Sequence, residues 1–513
     1  MLPAQSNRQV AAADSIGSQL ARGSTTGLFG RVAGYACQYA FHAVAARMLG
    51  SVVAGSFFAF LAFGTLLATA TRAGLDRTGL RAISVLRRSS GPAAVRNAAI
   101  RLLAIVVGVS GLASVIAWTL RFKLAGLFHA GQSATALGIV MLAVPGLAVA
   151  FACGEYLRGL HLVGWAALVQ LVVINGVAIA GLTLGMTMLR LPGIYVAALA
   201  FAAGTCCAAL TALTVLRRHT RTPRDAPPGT PAPWSSLAGG APMMFWTSML
   251  MLGMSGLDVV FLGHLAPGKQ TAFYVAAAKT ALLPSIGLVA VNSILVPMAA
   301  AEFKLGTRES LERLMVTGAR WSLAVGCVAV GGAALVGPWL LELFGPGFHL
   351  AYPVLLVLLL GQLVNAGSGG VAQLLLMTGH ERRAAIVLTV VVGLLVPLYI
   401  AVIPRHGALG AAGVTAFGVV SWNIGMVRQA RRHVRVRSYA DTIPRALLFV
   451  LVLSIFGLAT HHSTVGSLAL IGLYCVIGPC VAWKLLLRAD DRVVLGATAA
   501  RVLGRRASTR NAT

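Results

Sequence analysis

Apolar runs of spanning length follow one another along almost the whole chain. They lie at about 26–48, 51–71, 97–119, 134–156, 162–186, 193–216, 241–264, 272–300, 320–343, 353–378, 385–403, 408–427, 446–461 and 465–487. At about 1.5 Å per residue, roughly 20 helical residues cross a hydrocarbon core about 30 Å thick. The pattern therefore predicts an all-α polytopic membrane protein with about 14 transmembrane helices. The run at 446–461 is short for a span, which leaves 12 or 13 as alternatives.

The polar residues inside these runs carry the information. In Thr26 to Leu49, Arg31, Tyr35, Gln38 and His42 recur at spacings of four, three and four, so on a helix they form one narrow stripe. Lipid cannot satisfy such a stripe; it faces other helices or a water-filled cavity, and a cationic stripe along a cavity suits an anionic passenger. The plainer readings are hydrogen bonding to neighbouring helices, and snorkelling of Arg31 to the headgroups.

Asp258 and Lys279 are the deepest charges of the second half. Helical rise puts both about 9–10 Å below the same boundary on consecutive helices, so an Asp258–Lys279 ion pair is expected, either permanently structural or coupled to transport. Glu155 lies one turn from Arg158; a surface-anchoring ion pair is the first reading and proton coupling the second. Pro145, Pro284 and Pro397 mark expected kinks. Asn175, Asn292, Gln362, Asn365 and Asn423 read as interhelical hydrogen-bonding groups.

Charge in the loops sets the orientation. With both termini cytoplasmic, 32 of the 41 Lys and Arg residues fall on the inside and 6 on the outside, while Arg31, Arg101 and Lys279 lie within helices. That split follows the positive-inside rule. Leu80 to Val95 and Thr307 to Arg320 mix aliphatic residues with Arg at helical spacing and are expected as separate short helices at the inner surface.

The segment Arg217 to Pro233 is basic and then Pro-rich, which marks a linker between two halves. Leu49, Phe57 and Phe201 correspond to Leu265, Phe273 and Phe417 at a constant offset. The expected organisation is a cytoplasmic segment (1–25), a six-helix bundle (26–216), a linker (217–240), a second, pseudo-symmetric six-helix bundle (241–427), a basic loop with two extra helices (428–487) and a basic tail (488–513). Such repeats place a site at their interface and give alternating access by rocking.

Composition excludes several classes. The chain is 58% hydrophobic and only 11% charged, against about 25% charged in soluble domains. Its net charge of +28 resides in short loops rather than on one soluble face, so no nucleic-acid partner is expected. The first 25 residues carry no short apolar core followed by a cleavage site, and no removable signal peptide is expected. All seven cysteines fall inside apolar runs without ligand spacing, so neither metal nor disulfide is supported. Lys279-Thr280 lacks the glycines of a phosphate-binding loop. No catalytic Ser/His/Asp or paired-carboxylate arrangement stands out, no cofactor is expected, and coupling to a proton or cation gradient is the expected energy source.

Five motifs, ARMLG (Ala46 to Gly50), AGLDRTGLR (Ala73 to Arg81), LFGPGF with AYP (Leu343 to Pro353), LLMTGHERR (Leu375 to Arg383) and IPRHGALGAAG (Ile403 to Gly413), stand in order at helix junctions. They resemble the polysaccharide-biosynthesis flippases of the multidrug, oligosaccharidyl-lipid and polysaccharide exporter superfamily, over roughly Gly23 to Arg432. Ser51 and Ala54 depart from the family's usual Pro and aromatic.

The resemblance implies two six-helix bundles around a V-shaped central cavity, with two further C-terminal helices. It also implies translocation of an undecaprenyl-pyrophosphate-linked oligosaccharide across the bacterial cytoplasmic (inner) membrane for exopolysaccharide, capsule or O-antigen synthesis. On that reading Arg31, Tyr35, Gln38, His42 and Lys279 are substrate-cavity candidates, and Asp258, Lys279 and Glu155 are coupling or ion-pair candidates. The partners are the lipid-linked oligosaccharide, membrane lipids and polysaccharide polymerase or export proteins. The competing expectations are a cation-coupled small-molecule exporter on the same scaffold and a membrane glycosyltransferase or polymerase.

Overall fold

The computed structural model describes residues 30–188, 191–221, 233–305, 307–378, 380–434 and scattered positions between 444 and 487. The expected N-terminal segment, residues 222–232 of the linker and the tail lie outside the described residues. So do the two closing spans, apart from those scattered positions. Among the described residues the regular structure is helical, and nine helices are long and apolar enough to cross a membrane. One of the nine, Glu381–Val434, holds two of the expected spans, and residues 30–49 add a further helix.

The chain divides into two compact units. The first comprises residues 1–276, 342–348 and 392–411. Its helices begin with α1 (30–49), ended at Gly50, and α2 (Ser51–Thr71), which coincides with its expected span. A tight turn through Ala73 and Gly74, both at positive φ, leads into α3 (Leu75–Ser89). Asp76 in the first turn of α3 and Arg87 and Arg88 in its last turn complement the helix dipole. Gly91 and Pro92 open α4 (Gly91–Thr119), followed by the short α5 (Arg121–Leu127).

The expected span around Pro145 is two pieces, α6 (Ala134–Leu142) and α7 (Val144–Gly159). Proline is tolerated there because it falls in the first turn of α7, where its missing N–H costs nothing. Next come α8 (Val163–Met188), α9 (Gly193–His219), the short α10 (Trp234–Ala238) and α11 (Ala241–Leu265). α8 carries a π turn at Leu168–Val173. α12 (Lys269–Ala281) belongs to this unit up to Ala276.

Small residues let these backbones approach: a Cβ at Gly204 would lie 2.4 Å from the Ile174 carbonyl oxygen, and one at Gly55 only 1.9 Å from that of Gly268. α11 lies along α2 and α3, which is why the compact unit is wider than the 26–216 half and continues to Ala276.

The second unit comprises residues 277–341, 349–391 and 412–513. Its described helices include α13 (Ser285–Leu305), α14 (Arg308–Glu342), α15 (Tyr352–Ser368), α16 (Val371–Met377) and most of α17 (Glu381–Gln429). Helical winding breaks between α12 and α13 at the expected Pro284. α17 is broken at Gly407, where φ is 52° and ψ −133°, and its two arms pack antiparallel, with Gly425 against Val387 and Met426 clustered with Ala384.

Thr307 to Arg320 is not a separate surface helix. It winds without a break into α14, because no residue there stops the helix and Gly318 seats against Leu295. Asn423 behaves as expected of a mid-helix amide: it accepts from Ser368 Oγ at 2.5 Å and donates to Asn365 Oδ1 at 3.3 Å.

Candidate functional site

The first unit holds a cavity of about 270 Å³ where the end of α2, the start of α3, α7 and α11 meet. Its polar wall comes from Thr65, Thr69, Arg72, Asp76, Arg77, Glu155, Ser248 and Ser255. The central group is Arg72, which follows the last residue of α2 and so meets the negative end of that helix dipole. Its Nε donates to the Ala68 carbonyl oxygen at 3.1 Å and its Nη2 to Thr69 Oγ1 at 2.7 Å. Nη1 pairs with Asp76 Oδ2 at 3.0 Å, and the guanidinium lies 5.1 Å from the centre of the Phe151 ring.

Arg72 and Asp76 are both buried, at 9% and 5% exposure. Burial lowers the Arg72 proton affinity, and the neighbouring Asp76 carboxylate is the foremost charge opposing that shift. The Asp76 carboxylate is held further by the Arg77 backbone N–H, which donates to Oδ1 at 2.9 Å.

Glu155 stands on the same cavity wall and pairs with Arg158, one turn on. Arg158 Nη2 also donates to Gln170 Oε1 at 2.5 Å, and Gln170 Nε2 donates to the Phe151 carbonyl oxygen at 3.1 Å. The pair is therefore tied into the junction of α7 and α8 through the π turn that carries Gln170. Facing it from α11, the buried Ser248 hydroxyl has no hydrogen-bond partner. The cavity thus offers guanidinium and carboxylate charges in a desolvated wall together with an uncommitted hydroxyl. That set suits a polar anion that competes with Asp76 for Arg72.

The four residues of the α1 stripe are graded rather than equivalent. Arg31 is exposed, Tyr35 and Gln38 are half-buried, and His42 is 8% exposed. His42 Nδ1 lies 2.8 Å from the Gln38 carbonyl oxygen and its ring is 5.1 Å from that of Phe58, so it is packed into aromatic surroundings. None of the four lines the Arg72 cavity, whereas Glu155 does.

Asp258 is buried on α11, accepting from the Val259 N–H at 2.8 Å and from Tyr274 Oη at 2.5 Å. The tyrosine is a partner that charge spacing alone did not suggest. Asp258 belongs to the first unit and Lys279 to the second. Among the described residues no group of three or more His, Cys, Asp and Glu could hold a metal ion.

Asp76 meets Arg72 across the turn, although Arg77 is its immediate neighbour in the sequence. A signal was available: Thr65, Thr69, Arg72 and Asp76 are spaced four, three and four, the rhythm of the stripe on α1. Ser248 had no such signal, because it reaches the cavity from another helix.

A family model described as polysaccharide biosynthesis protein matches residues 20–301. No curated protein matches the chain. Among solved structures, the lipid II flippase MurJ in an inward closed conformation is similar with a TM-score of 0.69 at 13% identity, covering 91% of this chain and 99% of that one. An inward-facing multidrug resistance MATE family transporter of the MOP superfamily gives 0.65 at 16% identity, covering 78% and 94%. A MOP superfamily transporter from Pyrococcus furiosus gives 0.55 at 15% identity, covering 86% and 94%. These likenesses establish the fold, and the family model covers more than half of the sequence. The chain belongs to the polysaccharide biosynthesis protein family and is an all-α, multi-pass membrane protein.

Proposed function

We propose that the protein is a flippase that carries an undecaprenyl-pyrophosphate-linked oligosaccharide across the bacterial cytoplasmic membrane, for exopolysaccharide, capsule or O-antigen synthesis. The observation that carries this reading is the buried Arg72, held by Asp76 in a cavity of a chain from a polysaccharide-biosynthesis family. A pyrophosphate entering hydrocarbon without a counter-charge costs several kcal/mol at least. A guanidinium that exchanges Asp76 for phosphate offsets that cost, with Arg31 as a second cation at the start of α1. The cavity volume suits the pyrophosphate rather than the glycan, so the sugars travel in the opening that alternating access creates, with the lipid tail left in the bilayer.

On this reading the carboxylates are the coupling groups. Asp76 freed from Arg72, or Asp258 together with Lys279, takes up a proton or a cation and resets the cycle. Polymerase or export proteins take the product on the far side.

The test is transport itself. Purified protein in vesicles is given a fluorescent undecaprenyl-pyrophosphate-linked oligosaccharide, and accessibility to an impermeant glycosidase is followed. Accelerated exposure that needs intact Arg72 supports the reading; vesicles that behave like protein-free controls refute it. The likeness to MATE transporters favours one competing reading, a cation-coupled exporter of small molecules. Cation-driven efflux of a small molecule without lipid translocation would establish that instead. Sugar transfer by the purified protein alone would establish a glycosyltransferase.

A further inference from the structure

The second unit carries a basic cavity of about 480 Å³, distant in sequence from the Arg72 site and unused by the reading above. Arg382 and Arg383 at the start of α17, and Arg432 and His433 just after its end, line it together with His380 and Gln429. They meet because α17 doubles back at Gly407, which brings its first and last turns to the same end. A π turn at Ala430–Val434 carries Arg432 and His433. Beneath the charges, Ala384, Met426 and Ala430 belong to a fully packed apolar cluster, so the basic residues stand on a fixed floor.

The hydrogen bonding leaves the cavity short of partners. His433 Nδ1 lies 3.2 Å from the Gln429 carbonyl oxygen, an acceptor, so Nδ1 carries the proton. Thr378 Oγ1 donates to the Leu375 carbonyl oxygen at 3.3 Å, which leaves it to accept from His380 Nδ1 at 3.1 Å. Both imidazoles therefore keep Nε2 as an acceptor for a hydroxyl or N–H of a bound molecule, and their rings are 6.0 Å apart. The Gln429 side-chain oxygen is buried without any hydrogen-bond partner. The neighbouring acid, Glu381, does not line the cavity. Three guanidinium groups in one concavity, from Arg382, Arg383 and Arg432, suit a phosphate group.

A phosphate could be free or part of a lipid, and the surroundings favour the lipid. Ile386 forms the apolar wall of the cavity and is 55% exposed; Val390, one turn further along the same face, is 65% exposed. Arg382, Ile386 and Val390 are spaced by four, so a charged mouth opens onto an apolar track that runs into the depth of a membrane span. We infer that this cavity binds the phosphate headgroup of an anionic phospholipid, with an acyl chain lying along Ile386 and Val390.

The experiment uses the full-length protein in nanodiscs of phosphatidylcholine doped with phosphatidylglycerol or cardiolipin, and counts retained lipids by native mass spectrometry. At least tenfold preference for the anionic lipid is expected, lost on Arg382→Gln with Arg383→Gln and Arg432→Gln. It should survive when Arg217, Arg218 and Arg221 are changed to Gln as a charge-matched control. Equal loss in both triple variants would reduce the effect to general electrostatics and overturn the site.

Inorganic phosphate is the second arm. Displacement of the lipid by micromolar phosphate would make free phosphate the ligand and overturn the lipid assignment. Photolabelling of the wild-type protein with a diazirine-bearing phosphatidylglycerol does not depend on any variant folding. Label is expected at Ile386 and Val390 and around Gln429, and an even spread over other helices would refute the inference.

Discussion

Arg72 and Asp76 are joined at 3.0 Å across the turn between α2 and α3, and both are buried. Removing one partner of such a pair leaves an uncompensated charge and costs about 3–5 kcal/mol, whereas replacing both by apolar residues can be neutral. Arg72→Gln and Asp76→Asn are therefore each expected to lower the thermal midpoint of the detergent-solubilised protein sharply. Arg72→Met with Asp76→Leu is expected to recover most of the midpoint but none of the surface polysaccharide. A double variant that exports normally would make the pair purely structural.

Gly74 is needed for two separable reasons. Its φ is 77°, and a Cβ there would fall 2.4 Å from the Ala241 carbonyl oxygen. Gly91 has φ of 76° with open space around it. Alanine in the left-handed region costs about 1–2 kcal/mol. Gly91→Ala should show that loss alone, and Gly74→Ala should exceed it because α11 must give way. Thermal midpoints of the two variants measure the difference.

Tyr274 donates to the buried Asp258 carboxylate at 2.5 Å. A hydrogen bond to a charged group contributes about 1.5–3 kcal/mol. Tyr274→Phe is expected to lose stability by about that amount at neutral pH, and to lose little in an Asp258→Asn background, as a double-mutant cycle in denaturation would show. The expected partnership of Asp258 with Lys279 is tested separately by Asp258→Asn with Lys279→Gln. Recovered stability together with recovered export would mark a structural role, and recovered stability without export a role in transport.

Arg31 is exposed while the stripe below it becomes progressively buried. Arg31→Ala is expected to reduce surface polysaccharide several-fold at unchanged protein level, and Arg31→Lys to retain part of it, since charge is kept but the bidentate fork is lost. Normal polysaccharide from the alanine variant would assign Arg31 to headgroup snorkelling.

The span limits were legible where breakers bound an apolar run. α2 begins after Gly50 and ends before Arg72, and hydropathy alone locates it. The long α14 was not legible as one element, because a polar amphipathic stretch meets an apolar one beside Gly318, a residue that packs against Leu295 there instead of ending the helix. The Glu155–Arg158 pair was legible because both residues are on one helix, one turn apart. The Arg72–Asp76 pair was obscured because its spacing crosses a turn whose geometry depends on Ala73 and Gly74. Ser248 was invisible, since what makes it notable is the burial imposed by other helices.

A π turn holds one residue more than the α turn it replaces, so the part of α8 after Val173 is rotated by about 100° from where uninterrupted winding would carry it. That rotation decides which side of Ile174–Met188 meets α9, where the Ile174 carbonyl oxygen closes on Gly204. Chain length is thereby constrained separately from composition. Substitutions between Leu168 and Val173 can drift as long as they stay apolar and spare Gln170. Loss of a single residue would re-phase everything downstream to Met188. A change of length at this point is therefore expected to need a compensating change at Gly204, where the Ile174 carbonyl oxygen would otherwise meet a different face of α9.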